Sequence, residues 1–170
     1  MIERYAVASG RIRQELADIE RVVARAERAM AAARQQSEDQ DLYLDSAALN
    51  LHDFYAGLER VFHHIAATVD RSVPSGHEWH RELLRQMTVT LPQIRPQVLS
   101  VETSKAIDEF LRFRHVVRNI YTFEFDPDRI EHLTQHLRVS YEQVQAELLA
   151  FADFLDKLAQ EESKSPTDSA

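Results

Sequence analysis

Apolar residues recur at helical spacing along most of the chain. Ile12, Leu16, Ile19, Val23, Ala26 and Met30 fall at alternating steps of four and three, marking one face of a long first helix. That helix is rich in Ala and Arg rather than strongly apolar, so it is expected to dock loosely or to serve a partner. The polar run from Gln35 to Gln40 separates it from a second helix with Leu51, Phe54, Leu58, Val61, Ile65 and Val69 on its inner stripe. Pro74 and Gly76 mark the turn that follows. A shorter third helix is predicted over Trp79–Met87, then an irregular link bounded by Pro92 and Pro96, then a fourth helix from about Ser104 to Tyr121. The fifth helix starts with clear punctuation. Asp126 can cap it, and Pro127 suits the first helical position, where a missing N–H costs nothing. Its stripe is Ile130, Leu133, Leu137, Val144, Leu148, Phe151, Leu155 and Leu158, with Tyr141 beside it.

These elements predict an all-α, up-and-down bundle of four or five helices. Residues 1–36 form the long N-terminal helix of the same domain, 40–160 the bundle, and 161–170 a disordered tail of Glu, Ser, Lys, Pro and Asp. With 170 residues the chain suits one domain, and only three Gly and five Pro argue against a many-stranded β protein. Three Gly also leave no room for a P-loop or a dinucleotide-binding turn. A net charge of -8 argues against a dedicated duplex-DNA binder. The absence of Cys removes disulfides, Cys-ligated zinc, iron–sulfur clusters and thiol catalysis. No apolar run approaches the ~18 residues of a spanning helix, and the N-terminus has no signal-peptide core, so a cytoplasmic protein without a membrane partner is expected.

Most of the chemistry lies on the fourth helix. On a helical wheel Phe110, Phe113, Val116, Val117, Ile120 and Tyr121 share the core-facing arc, while Asp108, Arg112, His115 and Asn119 share the wet side. Arg114 falls between Tyr121 and Ile107, with Arg118 next to it. An unpaired guanidinium is costly there. Arg114, Arg118, His115 and Asn119 thus form a cationic, hydrogen-bonding strip edged by Tyr121. Two readings stand: the guanidinium forks grip a phosphate, or Arg114 ion-pairs with a carboxylate on another helix, such as Glu59 or Asp53.

The segment Phe113-Arg114-His115-Val116-Val117-Arg118-Asn119-Ile120-Tyr121 resembles the signature of HEPN-domain proteins, specifically the HepT-like ribonuclease toxins. That signature is an Arg, four intervening residues, a His, one residue and a Tyr. Arg114 and Tyr121 match its ends. Leu51–Arg60, Ser75–Leu84 and Phe125-Asp126-Pro127 are also similar to a HepT-like subgroup. The chain departs from the signature at Asn119, which stands where the family has its His; the histidine here is His115, one helical turn earlier. Asn can orient a hydroxyl but carries no proton at neutral pH, whereas an imidazole titrates in the useful range.

The resemblance implies the toxin half of a toxin–antitoxin pair, a metal-independent endoribonuclease acting on RNA at the cleft of a homodimer. Arg114, His115 and Asn119 are then the catalytic candidates, Arg118 and Arg112 bind phosphate, and Asp53 or Glu59 holds Arg114 or His115 in place. It also implies a nucleotidyltransferase-type antitoxin that modifies Tyr121 with AMP, and no cofactor. The alternative is a catalytically inactive HEPN module that binds a minimal nucleotidyltransferase.

The remaining histidines point less clearly to function. His77 and His80 flank Trp79 at metal-compatible spacing but lack an assignable carboxylate, so both are expected to be surface or capping residues, with Trp79 as a core anchor. His132 and His136 lie on an ordinary solvated face, and no metal site is expected.

Overall fold

The periodicity that runs through the sequence produces five helices. The computed structural model describes residues 2–119 and 124–164: α1 (Ile2–Gln35), α2 (Gln40–Ile65), α3 (Trp79–Met87), α4 (Val101–Val117) and α5 (Pro127–Lys164). A π-helical turn, Ala66–Asp70, closes α2. The fold is an all-α, five-helix bundle.

α1 runs antiparallel to both α2 and α5. Against α2 the order is Gln40 Nε2 on the Ala33 carbonyl, Gly57 beneath Ile19, and Arg60 on Glu15. Against α5, Arg34 pairs with Glu131, Arg138 with Glu27 and Glu20, and Arg13 with Asp153 and Asp156. The predicted stripe from Ile12 to Met30 is buried throughout, joined by Ala8, Ala29 and Ala33. The expectation that this helix docks loosely is therefore corrected. Its small alanines are buried in the interface, and Arg13 and Arg34 stand outside that stripe and pair with α5 at its edge.

Gly57 marks the closest approach. A Cβ there would sit 2.7 Å from Ile19 Cγ1, a methylene next to the β-branch whose χ1 is stiff, so it cannot swing away as a flexible chain end does. Gly57→Ala is expected to cost about 1–3 kcal/mol by overpacking, although Ala is the better helix former. Urea unfolding checks this; a midpoint unchanged or raised would contradict the close packing.

The stripes of α2 and α5 meet in the core as the spacing predicts. Phe54 packs edge-on to Phe110 of α4 at 4.9 Å and to Tyr141 of α5 at 6.4 Å, while the Tyr141 hydroxyl donates to the Leu16 carbonyl. Leu158 is only half-buried, as the core thins toward the end of α5. The Asp126 carboxylate accepts from the Asp128 backbone N–H at 3.0 Å, the cap read from the sequence. α5 continues through Lys164, four residues into the segment expected to be a tail.

α4 begins three residues earlier and ends sooner than predicted. Ser100 caps it, its Oγ accepting from Thr103 N at 3.1 Å, and Glu147 of α5 accepts from the Ser100 N–H and from both hydroxyls. That carboxylate also faces the positive end of the helix. At the other end the Arg118 N–H bonds to the Arg114 carbonyl, and the Asn119 N–H bonds to the Val116 carbonyl. The tightened turn stops the helix at Val117. The continuous strip expected along α4 is therefore interrupted: Arg118 caps the helix and Asn119 lies in the turn beyond it. Val116 and Val117, placed on the core arc by the wheel, are half-buried.

Candidate functional site

The start of α3 and the end of α4 meet around Glu59 of α2. The carboxylate is 6% exposed, on the inner side of α2. Its Oε1 accepts from Arg114 Nη1 of α4 at 2.5 Å, and its Oε2 lies 2.6 Å from His80 Nδ1 at the start of α3. Arg114 Nη1 also stands 3.4 Å from that His80 nitrogen. One carboxylate therefore fixes a guanidinium and an imidazole, each sharing little surface with solvent. This geometry fits the ion-pair reading of Arg114, and the partner is Glu59. The Arg114 Nε is buried and has no acceptor among the described residues.

The imidazoles extend the cluster outward. Trp79 stacks on His80 at 3.6 Å between centroids, and the His80 ring meets the His115 ring edge-on at 5.5 Å. His115 is exposed, and its pKa lies below the usual histidine value. Partial burial is the main cause; the nearby His80, Arg114 and Arg118 add to it, and Glu59 opposes it. His115 is thus a neutral imidazole at pH 7, able to take a proton. Between the ordinary histidine pKa and the lowered one, the unfolded chain binds the proton more readily, so acidification through that window weakens folding. An NMR titration of His115 is expected to show a midpoint below the ordinary value of about 6.5 that rises in Arg118→Gln. A midpoint at or above it would contradict this electrostatic account.

Tyr55, one turn before Glu59 on α2, is fully buried. Burial first and the Glu59 charge second push its pKa up, so its hydroxyl stays protonated; the hydroxyl has no hydrogen-bond partner among the described residues.

The other predicted residues are placed as follows. Asn119 turns its amide back onto the His115 carbonyl at 2.7 Å, covering an acceptor left open by the helix end. Arg118 is exposed beside it. Arg112 points along the outer face of α4 and pairs with Asp108 at 2.8 Å. Asp53 is not brought to Arg114; it contacts His52 Nδ1 at 3.1 Å. Tyr121 lies outside the described residues. His132 and His136 sit together on the solvated face of α5, as expected.

His80 is the residue that sequence reasoning misplaced. It appeared to be a capping histidine because its carboxylate stands on another helix, out of reach of any spacing rule. Trp79 is half-buried, packed against the core as expected, and also stacks on His80. The available signal was the Trp79-His80-Arg81-Glu82 stretch within the segment that resembles the HepT-like subgroup. Among the described residues no three His, Asp or Glu side chains converge as a metal cluster, and no helix is long and apolar enough to cross a membrane.

Residues 46–155 match the family described as HepT-like protein. The matched span runs from within α2 to near the end of α5 and holds Glu59, His80, Arg114, His115 and Asn119. No curated protein and no solved structure matches the chain.

Proposed function

The chain belongs to the HepT-like protein family, and on that premise we propose that it is the toxin of a toxin–antitoxin pair, a metal-independent endoribonuclease of the cytoplasm. The cluster in which Glu59 fixes Arg114 and His80 beside a neutral His115 carries this reading. RNA supplies its own nucleophile, the 2′-hydroxyl. The His115 imidazole takes that proton as the oxygen attacks phosphorus, and Arg114, aimed by Glu59, steadies the charge of the phosphorane. The P–O5′ bond breaks and the proton returns to the departing 5′-oxygen. The products are a 2′,3′-cyclic phosphate and a free 5′-hydroxyl. Arg118 supports the phosphate, and Asn119 orients a hydroxyl without carrying a proton.

The working unit in this reading is a homodimer in which two α4 ends form one cleft, with α1 belonging to the same domain. The partner is a nucleotidyltransferase-type antitoxin, and AMP on Tyr121 would set a bulky anion over the arginines. Duplex DNA and membranes are not partners.

A second reading has its own observation. Asn119 stands at the motif's histidine position with its amide committed to the His115 carbonyl, as suits a binding module that has lost catalysis. RNA carrying 2′-O-methyl groups separates the two readings. The nuclease cuts unmodified RNA, leaves the methylated strand whole, and loses about 10²–10⁴-fold in rate in His115→Ala, with a smaller loss in Asn119→Ala. Equal rates for His115→Ala and the parent protein would remove His115 from the chemistry.

A further inference from the structure

α3 and α4 lie side by side in opposite directions. His80 meets His115 at one end, and the Met87 carbonyl accepts from the Val98 and Leu99 N–H groups at the other. Between them runs an open groove of about 430 Å3. Arg81, Arg85 and Thr88, spaced at four and three residues, line one wall; Lys105, Asp108 and Arg112, spaced at three and four, line the other. The groove spans about 16 Å along α4, at the helical rise, and opens at its Arg81–Arg112 end onto the His80–His115 pair.

Its charge contrasts with that of the chain. The protein carries -8 overall, yet this groove holds four cations against Asp108 and Glu109. Arg112 is neutralised by Asp108, and Glu109 leans 3.7 Å from His132 of α5. Arg81, Arg85 and Lys105 are exposed and have no ion-pair or hydrogen-bond partner among the described residues. Elsewhere, among the described residues, seven of the fourteen arginines face carboxylates: Arg13, Arg21, Arg34, Arg60, Arg95, Arg114 and Arg138. Three solvated, unpaired cations gathered in one groove beside the Glu59–Arg114–His80 cluster suit an anionic occupant with regularly spaced charges.

We propose that the α3–α4 groove is the track for single-stranded RNA, with Arg81, Arg85 and Lys105 taking successive backbone phosphates and leading the strand to Arg114 and His115. This deepens the ribonuclease reading and rests on it. At the 3.4 Å rise of a stacked strand the groove holds about five nucleotides. The walls offer charges and hydroxyls but no exposed aromatic ring between them, so the contacts are with phosphate and sugar and carry little base preference.

The test is fluorescence anisotropy of the full chain with a labelled 2′-O-methyl oligouridine, which binds without being cut, titrated across KCl concentrations. The triple variant Arg81→Gln, Arg85→Gln, Lys105→Gln is expected to weaken binding about tenfold or more at low salt and to flatten the log–log salt slope by about 2, near 0.7 per lost phosphate contact. Arg81→Lys with Arg85→Lys keeps the charge and is expected to bind like the parent protein. Unchanged affinity and slope in the triple variant, or binding of a labelled polyglutamate in the same assay with no RNA binding, would overturn the proposal, the latter in favour of an acidic protein partner. The nuclease reading fails separately. Groove-dependent binding without cleavage of unmodified RNA keeps the track and removes the catalysis; cleavage with groove-independent binding does the reverse.

Discussion

Asp70→Ala is expected to lower the unfolding free energy by about 3–5 kcal/mol. Asp70 closes the π-helical turn after α2, and its carboxylate takes both faces of the Arg95 fork: Nε at 2.5 Å and Nη2 at 2.7 Å. The pair has essentially no solvent contact, with side-chain exposures of 0% and 1%. Carbonyls of Gln86, Val89 and Pro96 accept the remaining guanidinium protons, and Gln86 donates to the same carboxylate. Arg95 therefore fastens the link after α3 to the end of α2. Loss of Asp70 strands a buried cation that cannot shed its proton. Replacing both residues, as in Asp70→Ala with Arg95→Met, is expected to recover much of the loss, because the apolar stem keeps its packing while the unpaired charge disappears. Urea unfolding of the singles and the double checks this; a single variant within about 1 kcal/mol of the parent would contradict a buried, essential pair.

The second large effect falls on activity. In Arg114→Ala the rate of RNA cleavage is expected to fall about 10²–10³-fold, the cost of removing one aimed donor from a developing oxyanion. Stability should change far less. Glu59 keeps His80 on Oε2 and loses only the Oε1 contact, a cost of about 1–3 kcal/mol. Glu59→Ala reverses that balance for folding, because it leaves Arg114 and His80 facing each other at 3.4 Å without their anion. A variant pair in which Arg114→Ala unfolds the protein as severely as Glu59→Ala would assign Arg114 to the scaffold instead.

The legible parts of the fold are those whose signal is local. α2, α3 and α5 follow from apolar spacing and from punctuation at Pro74, Gly76, Asp126 and Pro127, and the structure places these elements there. The end of α4 was not legible. Arg118 to Tyr121 include no Gly or Pro, and the stop arises from a backbone turn at Arg118 and Asn119 that periodicity does not report. α1 was undervalued for a related reason: alanines score as weakly apolar, yet Ala8, Ala26, Ala29 and Ala33 are buried in its interface.

At the site, Arg114 stood out because an arginine beside the apolar arc conflicts with its surroundings. Two acids on α2 were candidates for its partner, and only the three-dimensional packing selects Glu59 over Asp53. His80 and the Asp70–Arg95 pair were hidden because their partners lie 21 and 25 residues away in sequence on other elements. Such pairs carry no periodic trace. The resemblance in the Ser75–Leu84 segment was the only pointer to His80.

The most direct test of the central claim is cleavage of unmodified RNA by the purified protein in EDTA, beside Arg114→Ala, with the product ends identified. The account predicts cutting that survives the chelator, leaves 2′,3′-cyclic phosphate ends and disappears with Arg114. No cutting by folded protein free of AMP, or cutting that EDTA abolishes, would contradict it.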